Sequence, residues 1–209
     1  MHESLWELEA AAWEQGFQRV CGCDEAGAGP LAGPVYAAAV ILPRSLTLPW
    51  LNDSKKVTPK RRDVLFERIR EQAVAWAVAS VPPGEIDEMD ILNARMKAMQ
   101  LAIDALDPPA DYALVDGNRD HGSLCAVTTP HSTAVRGDSR SASIAAASIL
   151  AKVSRDRFML ELAEAYPQYR FDRHKGYGTK LHYEMLEKYG PSPIHRRSFL
   201  KKWEAGRGG

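Results

Sequence analysis

Cysteine is scarce in this chain: Cys21, Cys23 and Cys125 are the only three in 209 residues. So sparse and odd a set excludes a disulfide framework and points to a reducing, cytoplasmic compartment. Cys21-Gly22-Cys23 offers two thiols, short of the four ligands of a structural zinc site. It reads instead as small side chains in a core. No apolar run approaches the ~20 residues of a membrane helix. The N-terminus, MHESLWELEA, lacks the basic-then-apolar order of a secretory signal. Internal repeats, low-complexity tracts and long linkers are absent as well. Net charge is also missing, because 27 Lys+Arg balance 27 Asp+Glu. With 45% hydrophobic and 26% charged residues, the remainder has the composition of an ordinary folded protein with no membrane partner, expected as a monomer.

The zero net charge hides an asymmetry. From position 150 onward there are 13 basic and 7 acidic residues, against 14 and 20 before it. An acidic half beside a basic tail suits a metal centre next to a polyanion track. It suits a solvated helix face equally well.

Hydrophobic periodicity places a loosely amphipathic helix over 3–17 and a short buried strand over 18–24. A second strand covers 33–42. Thr58-Pro59 opens a helix that runs to about 72, with Thr as N-cap and Pro at the first helical position. Val64, Leu65 and Ile69 are expected to face inward from it. A strand over 73–81, a helix over 85–106 and a buried strand over 111–118 follow, the last carrying Asp116 to its tip. Strand and connection occupy about 124–137, and an Ala-rich helix spans 142–165, small enough in section to pack closely on a sheet. The tail is basic and irregular, with helical pieces near 180–188 and 196–204. This order predicts one α/β domain with a mixed sheet, its core at about 18–165, and a helical C-terminal extension at about 166–209.

Asp24 and Glu25 end the first strand, Asp116 ends another, and Asp138 precedes the long helix. Strand tips along one edge of an α/β sheet are where ligands bind. Four carboxylates meeting there would repel one another, and a hard divalent cation would relieve that. Two such ions about 4 Å apart form the clamp used in phosphodiester hydrolysis. Each acid also has a plainer reading. Asp116-Gly117-Asn118 is a turn sequence, and Asp138 can simply complement a helix N-terminus. The glycine loop Gly27-Ala28-Gly29-Pro30-Leu31-Ala32 fits a dinucleotide fingerprint, but no helix follows it to meet a pyrophosphate.

DEAGAGPLAGPV, NDSKK, LVDGN, RGDSRSASIAAASILAKVSRD, HKGYGT and HRRSF occur in that order. Together, over about residues 18–200, they resemble bacterial type 2 ribonuclease H (ribonuclease HII). The resemblance implies a ribonuclease H-like fold and a Mg²⁺- or Mn²⁺-dependent endonuclease, with two ions held by Asp24, Glu25, Asp116 and Asp138. Such an enzyme cuts RNA in RNA·DNA hybrids and nicks duplex DNA 5′ to an embedded ribonucleotide, as in ribonucleotide excision repair. Its products carry 3′-hydroxyl and 5′-phosphate ends. Tyr177 in HKGYGT then falls where the family packs a ring on the sugar at the junction. Gly27, Ala28 and Gly29 offer backbone amides to the 2′-hydroxyl and phosphate. By the same resemblance Ser54, Lys55 and Lys152 would contact phosphates, and Arg196, with Arg197, would grip the duplex. His174, beside the tyrosine, reads as a structural or phosphate-contacting residue.

The family loop usually reads Gly-Arg-Gly, and here Ala28 removes the guanidinium, with Arg136 a candidate substitute. A related hybrid-specific ribonuclease H of the third type would share the acids. It carries an extra N-terminal domain, for which the seventeen residues before position 18 leave no room. A non-catalytic nucleic-acid binder is the alternative from another class, and metal-dependent cleavage separates it from an enzyme.

Overall fold

Strands that are apolar on both faces need helices on both sides, and the chain folds that way. The computed structural model describes residues 5–44, 46–52 and 57–206. Its strands are β1 (Val20–Ala26), β2 (Val35–Ile41), β3 (Ala75–Val81), β4 (Tyr112–Asp116) and β5 (His131–Ala134). They lie side by side in the order β3-β2-β1-β4-β5. The β3-β2-β1 half is antiparallel, and β1-β4-β5 is parallel. The mixed sheet and flanking helices are those expected, and the first strand is shifted by two residues, starting at Val20 and running past Asp24 through Glu25 and Ala26.

One face of the sheet packs on α3 (Pro83–Met89) and α4 (Ile91–Asp104), where Ile86, Met96 and Met99 are buried beside Cys21 and Cys23. The other face packs on α2 (Pro59–Gln72) and α5 (Ala142–Ala165). The alanines of α5 explain how closely it lies: a Cβ added at Gly22 of β1 would sit 2.1 Å from the backbone of Ser143 and Ile144. Thr58 caps α2 by accepting from the Arg61 amide at 3.4 Å, with Pro59 in the first turn, as the sequence predicts. Leu65 and Ile69 are buried, but Val64 is exposed, and Phe66 takes the inward place instead.

Two further expectations change. The helix over 85–106 is broken at Asp90, whose φ is +72°, and whose carboxylate accepts from the Asn93 amide at 2.9 Å to cap α4. The helix expected over 3–17, of which 3 and 4 lie outside the described residues, is α1 (Glu7–Glu14) among the rest. Glu9 on it is buried, accepting from Ser141 Oγ at 2.7 Å and the Ser143 amide at 2.8 Å, which ties α1 to the start of α5.

The tail is more ordered than its composition suggests. It forms α6 (Phe171–His174), α7 (Lys180–Tyr189) and α8 (Arg197–Ala205). Tyr169 and Phe171 pack with Ala32 and Met159, and Leu186 and Leu200 pack with Leu31. The C-terminal segment thus leans on the loop between β1 and β2. Among the described residues no helix is long and apolar enough to cross a membrane.

The contact at Gly22 yields a stability prediction. Gly22→Ala pushes a methyl into helix backbone that cannot rotate away, so α5 must shift. Urea unfolding is expected to show a loss of about 1–3 kcal/mol or more, read as a lower midpoint at an unchanged m-value.

Candidate active site

Parallel neighbours end at the same edge of a sheet, and this brings the acids together. Cys23 of β1 pairs with Val115 of β4, so the next residues, Asp24 and Asp116, emerge side by side. Beyond β5 the chain turns through a short 3-10 segment, Gly137–Ser139, that carries Asp138. Asp116 Oδ1 accepts from the Gly137 amide at 2.8 Å, fastening that turn to the tip of β4. Asp24 Oδ1 accepts from the Glu25 amide at 2.7 Å. Glu25 Oε1 pairs with Arg95 of α4 at 2.7 Å.

The four acids line one cavity of about 540 Å³. Gly27, Ala28, Gly29, Lys152 and Tyr177 line it too, as does Ser148, which the sequence did not single out. Burial, then repulsion from Glu25, Asp116 and Asp138, pushes the Asp24 carboxyl well above the usual carboxylate range, against the pull of the Glu25 amide. The site therefore gathers mutually repelling carboxylates, with Arg95 the cation paired to Glu25. Among the described residues, no three His, Cys, Asp or Glu side chains are already closed into a ligand cage. The donor set is all carboxylate with open solvent beside it, which fits a hard cation that keeps part of its water shell.

The opposite wall is built from backbone. Gly27 has φ +91°, and a Cβ there would lie 2.0 Å from Arg155 Nε, so this position takes only glycine. Arg196 donates to the carbonyls of Gly27 (2.6 Å), Ala28 (2.9 Å) and Gly33 (2.9 Å). Across a planar trans peptide the C=O and the next N–H point in opposite directions. With their carbonyls turned back to Arg196, the peptides of Gly27 and Ala28 direct the amides of Ala28 and Gly29 the other way. Arg155, also buried, donates to the carbonyls of Pro34 (3.1 Å), Ala32 (3.1 Å) and Lys175 (3.0 Å). It lies 5.8 Å from the Tyr177 ring centroid, so one side chain braces both the glycine loop and the tyrosine.

Arg196 is thus a correction to the expectation that it grips the duplex. It is fully buried, and all three of its guanidinium nitrogens are spent on carbonyls of its own chain. Arg197, its neighbour, is exposed and ion-paired to Glu204 at 3.4 Å. Lys152 lines the cavity while paired to Asp156 at 2.7 Å. Arg136, the candidate substitute for the missing loop arginine, is exposed and does not line the cavity. Ser54 and Lys55 lie outside the described residues. Tyr177 is 42% exposed and faces the acids across the cavity. His174 is structural: it is buried, with Nε2 at 2.9 Å from the Tyr169 carbonyl.

The comparisons with known proteins agree with this fold. Residues 21–202 match the family model described as Ribonuclease HII. The chain is 49% identical over 199 residues to the ribonuclease HII of Caldicellulosiruptor saccharolyticus, covering 95% of each chain. It is 57% identical over 180 residues to that of Dechloromonas aromatica, covering 86% of this chain and 90% of the other. The crystal structure of ribonuclease H2 from Pyrococcus horikoshii superposes with a TM-score of 0.74 at 26% identity, over 92% of this chain and all of that one. Sheet order, the acid-lined edge and these similarities converge, and the chain belongs to the ribonuclease HII family of RNA-cleaving endonucleases.

Proposed function

We propose that this protein is a divalent-metal-dependent endonuclease that cuts RNA in RNA·DNA hybrids and nicks duplex DNA 5′ to an embedded ribonucleotide. It leaves 3′-hydroxyl and 5′-phosphate ends. The observation that carries this reading is the cavity, where four carboxylates from the sheet edge face backbone amides and a half-exposed tyrosine. Its free cysteines suit a reducing cytoplasm.

Asp24, Glu25, Asp116 and Asp138 would hold the metal, two Mg²⁺ or Mn²⁺ ions. When bound, such ions neutralise these carboxylates, acidify an attacking water and stabilise the leaving 3′-oxygen. The rest is done by the chain. The amides of Ala28 and Gly29 donate to the ribose 2′-hydroxyl and to the adjacent phosphate, a contact that deoxyribose cannot complete. The Tyr177 ring packs on the next sugar, and its exposure leaves that face free for contact. Lys152 attracts phosphate along the same wall, as Ser54 and Lys55 are proposed to do. Arg196 acts from behind, by holding the loop carbonyls so that the amides stay forward. An absent amide donor at such a site costs about 1–3 kcal/mol.

The deciding experiment is cleavage of labelled duplex DNA carrying one ribonucleotide, with Mg²⁺ and with chelator, beside an RNA·DNA hybrid. Metal-dependent nicking 5′ to the ribonucleotide is expected. Binding of both substrates without cleavage of either would replace the enzyme with a nucleic-acid binder. Asp24→Asn is expected to lower cleavage at least 1000-fold, on the order of the loss of one strongly stabilising charged group. Because it removes a carboxylate from a repelling cluster, the same variant is expected to raise Tm in metal-free buffer. It should also lose most of the thermal stabilisation that Mn²⁺ gives the wild type. A lower metal-free Tm would mean that the acids are not in mutual repulsion.

Ala28 marks the one departure at the loop. Ala28→Arg places a bidentate phosphate ligand at the cavity rim. It is expected to tighten binding to the ribonucleotide junction by about 1–3 kcal/mol, roughly 5- to 150-fold in Kd. Titration by fluorescence anisotropy reads this, and no gain in affinity or rate would show that the wild-type loop lacks nothing.

A further inference from the structure

Three histidines with no direct part in the site stand together behind it. His182, His195 and His174 are 0%, 2% and 7% exposed. The rings of His174 and His182 stack at 4.3 Å, and the edge of the Phe171 ring meets His182 at 5.6 Å. Their hydrogen bonds admit one arrangement of protons. A backbone N–H only donates, so the Ser192 amide, 3.0 Å from His195 Nδ1, requires that nitrogen to be bare. The Ser192 hydroxyl, at 2.8 Å, then donates to it as well. The His195 proton is left on Nε2, which donates to His182 Nε2 at 3.0 Å. That in turn sets the His182 proton on Nδ1, which donates to the Tyr177 carbonyl at 3.0 Å. His174 is fixed the same way: Nδ1 accepts from the Gly176 amide at 3.2 Å, and Nε2–H donates to the Tyr169 carbonyl at 2.9 Å.

Resting on the reading of Tyr177 as the sugar-contacting residue, we propose that His195, His182 and His174 are positioning residues. Held neutral in fixed tautomers, they form a directional relay that sets the backbone of Gly176 and Tyr177, and so the tyrosine ring, against the cavity. The relay also reaches the other wall. His195 pairs with Ala32 in an isolated antiparallel bridge, and the Gly176 carbonyl accepts from the Leu31 amide at 2.8 Å. One set of neutral rings therefore keeps the glycine loop and the tyrosine loop in register with each other.

A further proton has no place in this network. At His182 Nε2, His195 Nδ1 or His174 Nδ1 it would set N–H against N–H. The charges around the rings divide. At His174 the Asp172 carboxylate favours an imidazolium and outweighs Lys175, which opposes it, while burial holds the ring neutral; at His195 Arg197 disfavours one. Tyr169 and Phe171, the aromatic neighbours of His195, bring no charge. Burial, assisted by the neighbouring histidines, pushes His182 down to about 4 and His195 down to about 3. These folded values lie below the ordinary 6.5. The stability that the neutral rings contribute is thus complete above pH 6.5 and is lost as the pH falls towards 4 and 3.

Long-range ¹H–¹⁵N correlation spectra of the full-length protein, from pH 7.5 to 5, test the tautomers without any variant. His182 is expected to carry its proton on Nδ1, His174 and His195 on Nε2, with no imidazolium at His182 or His195 above pH 5. An imidazolium at either of these two at pH 6, or the Nε2–H form at His182, overturns the proposal. A double-mutant cycle tests the function. His182→Leu is expected to lower kcat/KM for single-ribonucleotide nicking roughly 10- to 100-fold, the scale of a substrate group misplaced by about 1 Å. In a Tyr177→Ala background the same change should cost less than about threefold, because the residue it positions is gone. His182→Asn, whose amide can still donate towards the Tyr177 carbonyl, should recover most of the rate, and it also serves if the leucine variant does not fold. Equal losses in both backgrounds would make the histidines supports of the fold only. If Tyr177→Ala leaves nicking unchanged, the reading of Tyr177 fails and the relay positions nothing that substrate feels. Correct tautomers in the spectra would distinguish that failure from a mistaken relay.

Discussion

The site depends on two guanidinium groups buried against backbone. Arg155 and Arg196 together donate to six carbonyls: Gly27, Ala28, Ala32, Gly33, Pro34 and Lys175. Burying one charge is expensive, and burying two close together is worse, because burial and then repulsion from Arg155 weaken the hold of Arg196 on its proton. Arginine stays charged under such pressure, so the carbonyl dipoles have to supply what water would have supplied. That requirement shapes the loop. Its carbonyls must point inwards, its amides therefore point out, and Gly27 must lack a side chain because Arg155 fills the space. An amide-lined wall facing four carboxylates follows from satisfying two buried cations.

The same pair revises how the charge asymmetry is read. A basic C-terminal half beside an acidic N-terminal half invites the picture of a cationic track for a polyanion. Two of the basic residues beyond position 150 are instead spent inside the protein, and Lys152 and Arg197 are ion-paired on its surface. What remains attractive to a phosphate chain is oriented backbone as much as side-chain charge. Oriented amides have a fixed geometry, whereas a mobile lysine recognises charge at almost any angle. A wall of amides is thus better suited to telling one sugar from another, and surface lysines to holding the duplex near.

The parts of the site legible in the sequence are those whose position is set locally. Asp24 and Asp116 stand where apolar runs stop, and strand tips of adjacent parallel strands share an edge, so their meeting could be reasoned from two short segments. Thr58-Pro59 announced α2 for the same reason, since a cap is a matter of four residues. Arg155 and Arg196 could not be read this way. Their carbonyl partners lie mostly more than 120 positions away, and an arginine in SRDRF or HRRSF looks like any solvated charge. Asp90 was missed for a different reason: the apolar period runs across the break, and only the positive φ with its carboxylate cap divides α3 from α4. Val64 is exposed for the same kind of reason: tertiary packing chose Phe66, two residues further along the helix.

The two walls of the cavity are held by different physics, and this bears on how the site works. The acids are carried by strand ends and one short turn, tied by ladder bonds and the Asp116–Gly137 link, so their spacing is set by the sheet. The opposite wall is made of loops whose shape depends on side chains from α5, from the 171–178 segment and from the 192–196 segment. A loop held at many points by buried polar groups is rigid only while every one of those groups is satisfied. Chemistry at the acids then survives small losses of packing, whereas recognition at the loops does not. Discrimination between ribose and deoxyribose should accordingly be the more fragile of the two functions, because it rests on the orientation of a few amides and one ring whose supports lie outside the sheet.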